Sequence, residues 1–214
     1  MALLRSRRVM LWFGVLLMAP MLFTAASSKT EDTRPGDTHP GTSLAGQLLV
    51  ATPEMGDPRF QHTVILMVQH NKDGALGIVI NRPREELPIA QLLDALGLDS
   101  KGSDGTVRLY AGGPVQPEIG LVVHSADYHR TGTVNIDGRV AMTSNPDVLR
   151  DIGHHEGPRQ SLVAFGYAGW GPGQLEGELA VGGWFTIPEE PTLVFDFDRG
   201  KLWDEAMKRR TISL

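Results

Sequence analysis

The chain has 214 residues, 41% hydrophobic and 21% charged, which is enough to bury one core without covalent staples. Cysteine is absent, so disulfides, thiol catalysis and thiolate metal sites are excluded together. The formal charge is −5, and removing the first 26 residues, which hold three arginines and no acids, takes it to −8, so no nucleic-acid partner is expected.

At the N-terminus Arg5, Arg7 and Arg8 precede an uncharged apolar run, Val9 to Phe23, and then the small residues Thr24 to Ser28. This succession is the layout of a secretory signal. Ser6 to Leu11, SRRVML, also resembles a twin-arginine signal, with Met10 where that pattern usually has Phe; the ordinary secretory signal is preferred. The run contains Pro20 and falls short of the roughly 20 residues a spanning helix needs. Residues 1–28 are therefore expected to be cleaved between Ala26 and Ser28 and the protein to be periplasmic, with membrane attachment only through an uncleaved signal. Residues 29–43 are polar and rich in Pro, Gly and Thr, which predicts a flexible tether ahead of a single domain over 44–214.

Within that domain Leu44 to Ala51 reads as a strand and TPEMGDPRF as a surface loop. Thr63 to His70 and Leu76 to Asn81 predict a hairpin through an Asp-Gly turn, and their continuous apolar runs predict burial on both faces. Pro88 opens a helix with Ile89, Leu92, Leu93 and Leu96 on one face and Gly97 at its end. Strands follow at Val107 to Ala111, ended by Gly112, Gly113 and Pro114, then at Leu121 to Ser125 and Val140 to Thr143. A second helix is signalled by Ser144 or Asn145 as cap, Pro146 at the first position and Gly153 beyond the end. Leu162 to Phe165 feeds a glycine-rich turn, Gly166 to Gly173, and a short helix from Gln174. Leu193 to Phe197 is expected as the strand that closes the sheet, before a terminal helix around Trp203 and Met207. The irregular mixture predicts an α+β fold.

Three blocks carry a family resemblance: GQLLVATPEMGDPRFQHTVILMVQHNKDGALGIVINRP, GGPVQPEIGLVVHS and GYAGWGPGQLEGEL, in this order. They resemble the motif blocks of the YqgE/AlgH family, from Gly46 almost to the C-terminus. The resemblance implies a branched mixed β-sheet that forms a small, partly closed β-barrel flanked by helices. It also implies a family with no agreed biochemical activity, whose regulatory label came from an association with alginate production. Ile119 departs from the arginine usual there, which weakens an anion role at that position, and the export signal sets this chain apart from members that begin near Gly46.

The glycine turn ends at a helix start, where free N–H groups and the helix dipole can hold an anion. Its spacing is neither a dinucleotide fingerprint nor a P-loop. Asn81 and Arg82 end one strand and Gly112 and Gly113 another, and such rims gather sites. Arg82 suits a carboxylate or phosphate, but a structural pair with Glu176 that holds the turn in place is the preferred reading. The expected ligand-binding set is Asn81, Arg82, Gly112, Gly113, Tyr167, Gly169, Trp170, Gln174 and Glu176, for a small anionic or polar ligand. The competing reading is that the glycines let Trp170 fold over the core while Glu176 complements the helix dipole. His124 and Ser125 are strand neighbours and point to opposite faces, so they form no catalytic pair. His154, His155 and Glu156 lack the i, i+4 spacing of a helical zinc site, and His62 and His70 read as structural. No hydrolase elbow occurs, and no cofactor, metal or catalytic residue is expected. The chain therefore reads as a binding or regulatory domain, with a transcriptional regulator or a hydrolase-like enzyme using Tyr167 and Glu176 as alternatives.

Overall fold

The apolar runs of the expected hairpin pair as neighbouring strands, and their residues divide between two cores. In the computed structural model, which describes residues 43–210, these are β2 (Val64–Asn71) and β3 (Gly74–Val79), with β1 (Gln47–Ala51) on the other edge of β2. Leu48, Val50, Val64 and Leu66 point into the concave side of the sheet, while Leu49, Ala51, Ile65 and Met67 face a second cluster with Trp170 and Trp184. Alternation along each strand sends successive side chains to opposite faces, which is why both faces are apolar. The segments expected as signal and tether, residues 1–42 of the expected 1–43, and residues 211–214 lie outside the described residues.

The remaining elements in chain order are β4 (Pro83–Pro88), α1 (Ile89–Ala95), β5 (Thr106–Ala111), β6 (Val115–Ser125), β7 (Val134–Asn135), β8 (Val140–Thr143), α2 (Asp147–Gly153), β9 (Ser161–Trp170), α3 (Gln174–Ala180), β10 (Trp184–Pro188), a π-helical turn (Thr192–Asp196) and α4 (Leu202–Arg210). The strands form one mostly antiparallel sheet in the order β10-β1-β2-β3-β9-β6-β8-β7, with β4 and β5 branching from it. The branch is β9. Its first half pairs with β6 on one side and runs parallel to β5 on the other, and its last residues pair with β3. Gly166, at φ 74°, sits where β9 changes partners. The sheet curls into a half-barrel, and the α+β fold is the one the resemblance implies.

The curled ends are joined by side chains. Arg139, just before β8, donates from Nη2 to the carbonyl oxygen of Glu189, just after β10, at 3.0 Å. The concave core is plugged by Leu193 and Val194 of the π-helical turn and by Leu202 and Ala206 of α4. A third cluster packs α1 and α2, through Ile89, Leu93, Val148 and Leu149, against Val107, Val122 and Val163.

Several expectations need correction. Leu193 to Phe197 is no strand: Pro191 enters a helical turn at φ −52°, ψ −34°, and the closing strand is β10, paired with β1. Arg199, 7% exposed, donates to the carbonyls of Leu193 and Val194 at 2.9 and 2.6 Å, supplying the partners that a ladder would otherwise give. The glycine-rich turn is shorter than expected, because β9 runs through Gly166 and Gly169 to Trp170. The edge strand β4, PREELP, escaped notice because it is polar and bounded by prolines. Gly153 is the last residue of α2 rather than the residue after it, and Asn145 Oδ1 accepts the Asp147 N–H at 3.0 Å.

Candidate functional site

A cleft of about 410 Å³ opens between the loop that follows β1, the start of β6, the end of β9 and the outer face of α3. Its walls include Glu54, Met55, Asp57, Arg59 and Phe60 from the loop, Gly169 and Trp170 from β9, Gln174 and Glu178 from α3, and Trp184 at the start of β10. The volume falls in the range of small-molecule sites.

The loop wall is fastened at both ends. At its start, Thr52 Oγ1 donates to the Gly182 carbonyl at 2.8 Å and the Thr52 N–H to the Gly183 carbonyl at 3.0 Å. At its end, Asn81 accepts the Val64 N–H at 3.0 Å and donates to the His62 carbonyl at 2.8 Å. Arg82 Nη2 donates to the Gln61 carbonyl at 3.1 Å and to Thr63 Oγ1 at 2.8 Å. Asn81 and Arg82 thus act as staples for the segment that walls the cleft. Arg82→Ala is expected to cost on the order of 1–2 kcal/mol and to speed amide exchange across residues 52–63. Urea denaturation with hydrogen exchange checks this; unchanged exchange in that loop would contradict it.

The floor is built around Glu178. Its Oε2 accepts both indole N–H groups, from Trp170 at 3.0 Å and Trp184 at 2.8 Å, and its Oε1 accepts Gln174 Nε2 at 3.0 Å. The two indoles are buried and meet edge to face at 6.1 Å, with Phe60 edge-on to Trp184 at 5.5 Å. Buried tryptophans seek an acceptor for N–H, and one carboxylate serves both here. At the rim Arg59 pairs with Asp57 at 2.7 Å, its guanidinium 5.8 Å from the Phe60 ring centroid.

The residues singled out from sequence fall in different places. Gly169, Trp170 and Gln174 line the cleft; Asn81, Arg82, Gly112, Gly113, Tyr167 and Glu176 do not. Gly112 and Gly113 pack against the backbone of β9, and Tyr167 packs against the barrel core. The expected Arg82–Glu176 pair is not formed, for Glu176 lies 2.8 Å from His70 Nε2. The first turn of α3 holds its own acid: a backbone N–H and then His70 keep the Glu176 carboxyl below its ordinary value. The Gly171 N–H is taken by Gln174 Oε1 at 3.1 Å. The Glu176 shift is opposite in sign to the raised value an acid catalyst there would need.

Sequence reading missed Glu178, Trp184 and Phe60. The signal for Glu178 was the i, i+4 spacing from Gln174, which places the two on one helix face. Elsewhere, burial pushes the fully buried His124 imidazole down in pKa, and its Nδ1 lies 2.9 Å from the Ser125 carbonyl oxygen. Among the described residues no three His, Cys, Asp or Glu side chains are grouped to hold a metal ion.

A branched, curled sheet with helices on its flanks and a tryptophan-floored cleft on its convex side defines an α+β half-barrel domain. The chain belongs to the AlgH-like family (DUF179), whose profile matches residues 48–214. It is 46% identical over 171 residues to a UPF0301 protein of Sphingopyxis alaskensis, covering 79% of this chain and 90% of that one. A UPF0301 protein of Methylococcus capsulatus is 43% identical over 176 residues, covering 82% and 95%. The solution structure of the AlgH protein from Pseudomonas aeruginosa superposes with a TM-score of 0.65 at 38% identity, covering 84% of this chain and 92% of that one. A crystal structure of a Corynebacterium diphtheriae protein, 21% identical with a TM-score of 0.61 and covering 84% and 90%, shares the fold.

Proposed function

We propose that this is a non-enzymatic ligand-binding domain that takes a small polar molecule in the cleft between the loop after β1 and α3. The observation that carries the reading is the cleft itself, a concave site of about 410 Å³ with aromatic walls and a few fixed polar groups. Of its carboxylates, Asp57 is held by Arg59 and Glu178 by two indoles, and the lining has no hydroxyl, imidazole or amine side chain, which supports binding over catalysis. Three carboxylates, Glu54, Asp57 and Glu178, against one arginine argue against the anionic ligand expected from sequence. A thermal-shift screen of small polar molecules tests the proposal, with Phe60→Ala as the control. A compound that raises the melting temperature of the parent, and less so that of the variant, is the expected result. Hits that stabilise both equally, or none across a broad screen, would overturn the reading.

The same proposal includes export. It rests on the basic, apolar and small-residue succession at the N-terminus, and on the family match beginning only at residue 48. Mass spectrometry of the mature protein is expected to find an N-terminus between Ala26 and Ser28; an intact Met1 would sink it.

A further inference from the structure

Of the three carboxylates that line the cleft, Asp57 is paired with Arg59, and Glu54 lies exposed at the mouth, whereas Glu178 sits at the floor. Glu178 has no basic partner among the described residues. Its three partners, two indoles and a primary amide, are all neutral donors. They fix the position and direction of the carboxylate without cancelling its charge. A fixed charge on the wall of a concave site, with low-polarity neighbours, attracts an opposite charge more strongly than one free in water.

Resting on the cleft as a binding site, we propose that its ligand is a small amphipathic amine whose ammonium group is anchored by Glu178. The acceptor count favours ammonium over guanidinium. An ionised carboxylate offers about four acceptor positions, and three are occupied, two on Oε2 and one on Oε1. One position on Oε1 remains, which suits a point-like donor and not the two-pronged fork of a guanidinium. The apolar part of the ligand meets Phe60, Met55 and Val181, the last 84% exposed at the lip of the cleft. Glu54, exposed and without a salt-bridge partner among the described residues, adds a second negative charge at the mouth. Arg59 does not compete for Glu178, because Asp57 already holds it.

The test uses three phenyl probes of similar size, 2-phenylethylammonium, 2-phenylethanol and phenylacetate, read by NMR on the indole N–H signals of the folded protein. Trp170 and Trp184 bond to Glu178, whereas Trp203 donates to the Ala51 carbonyl at 2.7 Å and serves as the internal control. The ammonium is expected to shift the first two signals in a saturable way, and to bind at least about tenfold more tightly than the alcohol. Glu178→Gln keeps an oxygen for both indoles and removes the charge, so it is expected to abolish that preference. Equal affinity for alcohol and ammonium in the parent protein overturns the ammonium anchor and leaves the ligand-binding reading standing. Failure of the ammonium to move either signal, or a preference that persists in Glu178→Gln, also overturns it. The parent comparison decides the matter even if Glu178→Gln does not fold. Failure of the thermal-shift screen instead removes the cleft as a binding site altogether.

Discussion

Gly113→Ala is expected to prevent folding, with a loss of more than about 4 kcal/mol. A Cβ at residue 113 would lie 2.1 Å from the Tyr167 carbonyl carbon, 2.2 Å from its oxygen and 2.4 Å from the Ala168 nitrogen. All three are backbone atoms of β9, so no rotamer change relieves the overlap. The strand crossing must open, and with it go the Gly112 N–H bond to the Phe165 carbonyl and the Val79 N–H bond to the Gly112 carbonyl, each 2.8 Å. Those bonds are where β3, β5 and β9 meet, so the branch of the sheet fails as a unit. Gly177→Ala is the matched control: nothing lies within 4 Å of its Cβ position on α3. There alanine is expected to add about 0.5–1 kcal/mol through helix propensity. Circular dichroism melts of both variants check the pair; a Gly113→Ala protein melting within a few degrees of the parent would refute the packing account.

The contrast between these glycines shows what the sequence could and could not say. The hairpin, α1, α2, α3 and α4 were legible because each carries a local signal: an Asp-Gly turn, a proline start, a glycine stop or an amphipathic stripe. The glycine pair before β6 was legible as a demand for close approach, but what approaches is not encoded locally. The structure brings the β9 backbone there, from more than fifty residues away, where a ligand was expected. Similarly, the apolar run at Leu193 satisfied a strand pattern, and only the long-range bonds from Arg199 show it as a helical plug. Short apolar runs do not distinguish the two by periodicity alone.

The site was half legible for the same reason. Trp170 and Gln174 stood out beside the glycines, and both line the cleft. Arg82 stood out as a charged residue at a strand end, yet its partners are carbonyl and hydroxyl groups of a loop some twenty residues back. Glu178 looks like an ordinary helix-surface acid in sequence. Its role depends on Trp184, brought beside Trp170 by the pairing of β10 with β1. Which acid of a helix turns inward is a tertiary fact.

The second large effect is a fall in stability with rising pH, traced to the clasp that joins the curled ends of the sheet. Glu189 is 1% exposed, and burial, followed by its contact with Asp137, pushes its carboxyl up from 4.5 to about 8. Arg139 Nη2 lies 2.8 Å from Glu189 Oε2, but neither carboxyl oxygen makes a well-aligned hydrogen bond to it, so the contact is close and poorly directed. The Arg139 side chain is 54% exposed and its guanidinium is shared with Asp137 at 3.1 Å, so it compensates the buried charge only in part. Beyond these, Glu190 adds repulsion from the neighbouring position, although Arg209 pairs with it at 2.6 Å. Asp137 is moved the other way: burial raises its carboxyl, but the neighbouring Glu189 carboxyl and the hydrogen bonds that its Oδ1 accepts from the Val140 and Arg139 N–H groups outweigh that and hold it down. Glu189 therefore keeps the proton and Asp137 the charge. For an acid with a raised folded-state value, the stabilising proton is fully bound below the unfolded value and is lost as pH rises through the folded one. The window is thus pH 4.5 to about 8. Across it the parent is expected to lose on the order of 2–4 kcal/mol from this group. Glu189→Gln keeps the shape and neutrality of the protonated side chain beside Asp137 and has no proton to lose. Its stability is expected to match the parent near pH 5 and exceed it above pH 8, so denaturation curves of the two proteins diverge as pH rises. Parallel curves from pH 5 to 9 would show that the clasp carries no linked proton, and a variant weaker than the parent at the alkaline end would show that ionised Glu189 is a net stabilising partner of Arg139.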